Sequence, residues 1–119
     1  MNSKNKLIGI VGPCKSGKTT LSNGLSKLGF NAKGIAQEHS FSPQMWRKIT
    51  NPDILIYLDV NYENTLKRSD LNWTPADLEE QIKRLQHAFA GANLYIETSD
   101  LTIPEVLSKA VTFLENFIS

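Results

Sequence analysis

A single cysteine, Cys14, stands among 119 residues, so the chain has no internal disulfide to staple it. A reducing, cytoplasmic setting is the expectation for such a sequence. Long apolar runs are missing as well. The longest uninterrupted one, Ile54 to Leu58, falls far short of the ~20 residues that span a bilayer. The opening stretch, "MNSKNKLIGIVG", runs from a few apolar residues straight into glycines without a signal-peptide cleavage pattern. No excess of one charge is present either: 13 basic residues face 12 acidic ones. That balance supplies no field to gather nucleic acid or an anionic membrane, so neither is an expected partner. Any anion this protein binds must be held locally. Repeats, low-complexity tracts and Pro/Gly-rich linkers are also lacking, and the chain reads as one domain over residues 1–119.

What is there is an alternation of apolar runs with helical patterns. "KLIGIV" (Lys6 to Val11) suits a strand buried on both faces, and "DILIYLDV" (Asp53 to Val60) is a second. Between them, Leu21, Leu25 and Leu28 recur at helical spacing and Gly29 marks a stop. "NAKGIAQ" (Asn31 to Gln37) reads as a further strand, and Ser42-Pro43 as the cap of a short helix through Met45, Trp46 and Ile49. Asn61 can cap a helix carrying Tyr62, Leu66 and Arg68. Thr74, Pro75 and Asp77 open another, with Leu78, Ile82, Leu85 and Phe89 as one apolar stripe. On its wet side Glu79–Lys83 and Glu80–Arg84 are i,i+4 pairs. "NLYIET" (Asn93 to Thr98) is a last strand. A closing helix from about Pro104 turns Leu107, Val111, Leu114 and Ile118 inward. The pattern predicts a three-layer α/β fold, a mostly parallel sheet of about four strands flanked by helices.

Gly12-Pro13-Cys14-Lys15-Ser16-Gly17-Lys18-Thr19 fits G-x-x-x-x-G-K-[ST] at every fixed position, and Thr20 follows. Such a match arises by chance in a chain this long on the order of a few times in a thousand. Here it also sits between a buried strand and an amphipathic helix, the context the motif needs. The nine residues Gly12 to Thr20 are therefore the expected nucleotide-phosphate site. The two glycines let successive N–H groups turn inward as a concave nest, and the following helix adds its positive end. Lys18 is placed to reach the β- and γ-phosphates and the Thr19 hydroxyl to ligate Mg²⁺. Cys14 occupies a variable position, where a small residue simply fits or a helix terminus activates the thiol.

With these residues the chain resembles the P-loop kinases of nucleosides, nucleotides and other small molecules, in an unusually short form. "PDILIYLDVNYENTLKR" (Pro52 to Arg68) looks like the segment preceding the lid in thymidylate and deoxynucleoside kinases. "LYIETSDLTIPEV" (Leu94 to Val106) is similar to the last strand and turn of several small-molecule kinases, which makes Ser99 and Asp100 candidates for base contacts. The resemblance implies ATP and Mg²⁺ as cofactors, a site at the carboxyl ends of the strands, and transfer of the γ-phosphoryl group to a small-molecule or nucleotide acceptor. It departs from these kinases between Phe30 and Pro52, where a strand and most of the acceptor region are missing or shortened. A second subunit completing the site is one consequence to expect.

Two residues compete as the carboxylate on the metal side. Asp59 ends "ILIYLD" but reads first as a cap or structural partner at a strand end, and in the kinases this segment resembles the equivalent strand does not carry the metal-side acid. Glu38, in "IAQEHS", is the better match if its strand lies beside the first. It can hold metal-bound water or serve as a base, or be a solvated loop carboxylate. His39 is beside it. Of the cations, Lys67, Arg68 and Arg84 fall in the lid region by resemblance, and Arg68 is the candidate to stabilise the transferred phosphoryl group. Arg84 has a ready partner in Glu80. Phe41, Trp46 and Trp73 either flank an acceptor pocket or pack as satellite core. The expected catalytic set is Lys18, Glu38 and Arg68, with Thr19 and Glu38 on the metal. No Asn-Lys-x-Asp guanine motif occurs, which favours ATP over GTP. The rival to a kinase is a nucleotide-binding module or NTPase switch read by a protein partner, and a loop that has outlived its catalysis is a third possibility.

Overall fold

The computed structural model describes residues 6–68 and 72–118, the last by its backbone alone. Four parallel strands form the sheet: β1 (Leu7–Val11), β2 (Asn31–Gly34), β3 (Ile54–Asp59) and β4 (Leu94–Glu97), in the order β2-β1-β3-β4. The fold is α/β with helices on both faces, as the alternation predicts. β1 and β3 are central, and apolar except for Asp59 at the end of β3, because both of their faces are covered. Their register pairs Ile8 with Ile54 and Ile10 with Ile56. Side chains of period two then separate into two cores.

On one face Ile8, Ile10, Ile54, Ile56, Leu58 and Ile96 pack against α1 (Lys18–Lys27) and α5 (Ile103–Ile118) through Leu21, Leu25, Ala110 and Leu114. Each wholly buried Leu or Ile there contributes about 1.5–3 kcal/mol relative to exposure. On the other face Val11, Leu55 and Tyr57 meet Ile35, Trp46, Leu85 and Ala88. Ile35 and Trp46 come from the irregular segment after β2, Leu85 from the junction of α3 (Pro75–Arg84) with α4 (Gln86–Gly91), and Ala88 from α4.

Local chemistry sets several of the boundaries. Gly29 follows α1 with φ +93°, the left-handed stop expected of it. Asn61 accepts from the Asn64 amide at 2.9 Å ahead of α2 (Tyr62–Arg68). Thr74 and Asp77 form a reciprocal capping box with Pro75 at the first helical position. Thr102 and Glu105 do the same for α5, and those hydrogen bonds hold the exposed Glu105 carboxyl below its ordinary range.

Several expectations need correction. β2 ends at Gly34, and Gln37–His39 is a 3₁₀ turn rather than strand. The helix expected from Pro43 is a π-helical turn over Trp46–Thr50, ended by Asn51 with φ +47°. Ile49 and Leu28 are exposed rather than buried. The stripe Leu78 to Phe89 lies on two helices that break at Leu85, so Phe89 leaves the core line and is half exposed beside Tyr57 and Tyr95. Among the described residues Glu80–Arg84 forms an ion pair at 3.4 Å and Glu79–Lys83 does not. The inward turn expected of the Ile118 side chain lies outside the described residues.

Candidate functional site

The loop between β1 and α1 takes its shape from close approach and from left-handed backbone. A Cβ on Gly12 would lie 2.2 Å from the Leu58 carbonyl oxygen, so only glycine lets the loop leave β1 against β3. Lys15 (φ +68°) and Gly17 (φ +104°) carry the left-handed turns that fold the chain into a nest. α1 begins at Lys18, and the amides of its first turn have no partner within the helix. Thr19 and Thr20 are exposed there.

The Lys18 ammonium is held at the mouth of this loop. It lies 2.7 Å from Glu38 Oε2 and donates to the carbonyls of Gly12 (2.8 Å) and Pro13 (3.2 Å). Glu38 reaches it because β2 pairs directly with β1, which sets the 3₁₀ turn after β2 beside the loop after β1. The topological condition that favours Glu38 over Asp59 is thereby met. The Glu38 side chain is 4% exposed, and its Oε1 is buried without a hydrogen-bond partner. Asp59 is committed elsewhere: Oδ2 accepts from Tyr95 Oη at 2.6 Å and Oδ1 from the Val60 amide at 2.9 Å. Burial first, then the nearby Asp59 carboxylate, pushes the Tyr57 phenol above its ordinary range. Burial and the Asp59 hydrogen bond do the same for Tyr95.

The outer side of the loop is braced by a residue the sequence did not flag. Gln81, on α3, accepts from the Cys14 amide at 2.9 Å and donates to Cys14 Sγ at 3.2 Å. It is buried between Leu78 and Leu85 in a helix whose inward positions are otherwise apolar, and a lone amide at such a position was the available signal. His39 Nε2 lies 3.6 Å from the same sulfur and 3.7 Å from Glu38 Oε2.

On the other flank a cavity of about 400 Å³ opens between α1 and α5. Lys15, Ser16 and Gly17 form its loop wall, Leu101, Val106 and Leu107 its apolar wall, and Arg68 with Thr98 its end. Arg68 donates to the Lys15 carbonyl at 2.8 Å and to Thr98 Oγ1 at 3.0 Å, which ties α2 to the loop and to the end of β4. Arg68 thus borders the cavity, whereas Lys18 and Glu38 do not line it.

The remaining candidates divide between structural hydrogen bonds and exposed positions. Ser99 accepts from the Asn61 amide at 2.8 Å and its own amide donates to Glu97, while Asp100 is exposed. Trp46 is core and donates to His87 Nδ1 at 3.1 Å. Trp73 donates to Thr65 Oγ1 at 3.1 Å. Phe41 is 85% exposed, with the Arg84 guanidinium 4.5 Å from its ring centre. Lys67 is exposed. No protein-family model matches the chain, and its sequence has no significant match among curated proteins.

Proposed function

We propose that the protein binds a nucleoside triphosphate with Mg²⁺, ATP by expectation, and acts as a small phosphotransferase toward a small-molecule or nucleotide acceptor. The observation that carries this reading is the buried Lys18–Glu38 pair at the mouth of a left-handed, amide-lined loop. A chain gains little from such a pair in stability alone, because desolvation offsets the attraction. The residues also fit the groups they would hold. Glu38 Oε1 is buried without a partner, the first-turn amides of α1 are unpaired, and the Thr19 hydroxyl is exposed beside them. Thr19 and Glu38 would hold Mg²⁺, and Lys18 with the loop amides would hold the phosphates. Bound there, the metal supplies charge neutralisation of the phosphate oxygens. Lys18 would add positive charge on the transferred group, and Arg68, bonded to the loop, would border the nucleoside end.

A second reading, an NTPase switch that acts through a protein partner, is favoured by one observation. Between β2 and β3 the chain has only a 3₁₀ turn and a π-helical turn, and the latter sends Trp46 into the core. That leaves little structure to form an acceptor lobe. The test is ADP release from ATP·Mg²⁺ with and without pooled nucleosides, nucleotides and hydroxylated metabolites, with a folded Lys18→Ala variant as control. Acceptor-stimulated release lost in the variant supports the phosphotransferase. Nucleotide binding with no stimulated release refutes it in favour of the switch, and no binding refutes both.

A further inference from the structure

A thiol, an imidazole and a buried carboxylate converge on the rim of the phosphate loop. We propose that Cys14, Glu38 and His39 form a site for a thiophilic divalent cation, Zn²⁺ above all, and that its occupation opposes nucleotide binding. One donor atom from each residue lies within 4.8 Å of the other two. Zinc bonds of about 2.3 Å to sulfur and about 2.0 Å to nitrogen or oxygen, at tetrahedral angles, set S···N at ~3.5 Å and N···O at ~3.3 Å. The observed separations are 3.6 Å for Cys14 Sγ to His39 Nε2 and 3.7 Å for His39 Nε2 to Glu38 Oε2. Two of the three separations are therefore within ~0.4 Å of those a shared ion sets, and the third, from the Cys14 sulfur to a Glu38 oxygen, is within 4.8 Å.

Two further observations point the same way. Glu38 is buried: its Oε2, the oxygen nearest His39, is shared with Lys18 at 2.7 Å, while its Oε1 has no partner, so the carboxylate keeps bonding capacity that a cation would use. Gln81 Nε2 donates to Cys14 Sγ, the kind of outer hydrogen bond that fixes the direction of a metal ligand. The His39 side chain is 58% exposed, which leaves a fourth position to water. The donor set discriminates, since thiolate and imidazole select Zn²⁺ over the Mg²⁺ of a phosphate site. Binding replaces the Cys14 S–H bond by an S–Zn bond, releases that proton to solvent and transfers no electrons.

A dication beside Glu38 repels the Lys18 ammonium, which keeps the Gly12 and Pro13 carbonyls as acceptors. It also occupies the carboxylate that would serve Mg²⁺. This opposition, unlike the metal binding itself, rests on the proposed nucleotide site.

The experiment begins on the full chain without nucleotide. Zn²⁺ affinity is measured by chelator competition, and Co²⁺ serves as the optical probe. The expected result is one ion per chain, a thiolate-to-Co²⁺ charge-transfer band absent from Cys14→Ser, and affinity losses in Cys14→Ser and His39→Gln larger than the ~10-fold typical of an outer-sphere partner. Circular dichroism confirms that both variants fold. No charge-transfer band, or affinity losses of ~10-fold or less, overturns the site. A fluorescent ATP analogue is then titrated with and without Zn²⁺. Weaker binding with Zn²⁺ in the parent but not in His39→Gln supports the opposition, and equal binding in the parent overturns it. No binding of the analogue in either state refutes the nucleotide site and with it the opposition, and leaves the metal site standing.

Discussion

Gly12→Ala should cost far more stability than Gly17→Ala, although both replace a glycine of the same loop. A Cβ at Gly12 would lie 2.2 Å from the Leu58 carbonyl oxygen and 2.6 Å from Ser16 Oγ. Ser16 Oγ has no hydrogen-bond partner and is able to rotate away. The Leu58 oxygen is not, because Leu58 is wholly buried in β3, which is laddered to β1 on one side and β4 on the other. Ordinary C···O contacts begin at about 3.3 Å, so β1 and β3 would have to part by roughly 1 Å at this point. Overpacking of this kind costs about 1–3 kcal/mol, and a rigid backbone partner sets the value near ~3. Nothing lies within 4 Å of a Cβ at Gly17, where the cost is the left-handed backbone alone, about 1–2 kcal/mol. At roughly 3–6 °C per kcal/mol for a domain of this size, Gly12→Ala should melt about 10 °C or more below the parent and Gly17→Ala about half that. Thermal unfolding followed by Trp46 and Trp73 fluorescence checks both. A Gly12→Ala protein within about 2 °C of the parent, or less perturbed than Gly17→Ala, would refute the close approach of the loop to β3.

Gln81→Leu removes both bonds to Cys14 and leaves the Cys14 amide unpaired, so it should cost about 1–3 kcal/mol and speed thiol alkylation; an unchanged rate would show that Gln81 does not restrain the loop. Lys18→Met strands the Glu38 carboxylate and should cost about 3 kcal/mol or more, while Glu38→Gln leaves Lys18 its two carbonyl acceptors and should cost less. The double variant should recover part of the loss, and strict additivity in urea melts would deny that the pair is coupled. Tyr57 and Tyr95 titrate above the ordinary value of 10.0 in the folded chain, so the native state keeps protons that the unfolded state releases. Stability is therefore whole below pH 10.0 and falls as pH rises beyond it. Asp59→Asn should bring the Tyr95 transition in tyrosinate absorbance down toward the ordinary value, and an unmoved transition would contradict the Asp59 hydrogen bond.

The central sheet and the loop were legible because both write themselves into contiguous residues. β1 and β3 are apolar runs buried on two faces, and the glycines, lysine and threonine of the loop stand at fixed spacing. The break at Leu85 was not legible. Ile82 and Phe89 keep helical spacing across it, and only the packing of Trp46 and Ala88 on the sheet shows that the helix turns there. Trp46 read as satellite core ahead of pocket, and its core place is what the structure shows, but which residues it meets is declared only when β2 and α4 are in place. Glu38 depended on strand order, a long-range property, and became a candidate through the condition that its strand lie beside the first. Gln81 and the braced position of Arg68 come from contacts 67 and 53 residues apart in the chain, beyond the reach of local pattern.

The pairing of Lys18 with Glu38 bears on how the site would fill. Without ligand the loop is not an open positive trap, because its ammonium faces a carboxylate at 2.7 Å with both side chains largely buried. A phosphate arriving alone would have to draw Lys18 away and leave Glu38 charged, buried and unpaired, which costs several kcal/mol. Glu38 escapes that cost if a cation reaches it in the same event, so that Lys18 exchanges carboxylate for phosphate while Glu38 exchanges ammonium for metal. On the proposed function, phosphate and Mg²⁺ should therefore bind with positive coupling, and the coupling should run through Glu38. A fluorescent ATP analogue titrated in Mg²⁺ and in chelator should show the Mg²⁺ form bound at least ~10-fold tighter, a coupling of about 1.4 kcal/mol. Glu38→Gln should shrink that ratio toward unity by relieving the penalty on metal-free nucleotide. Equal affinity with and without Mg²⁺ in the parent, or an undiminished ratio in Glu38→Gln, would separate the carboxylate from the metal and leave its bond to Lys18 a purely structural one.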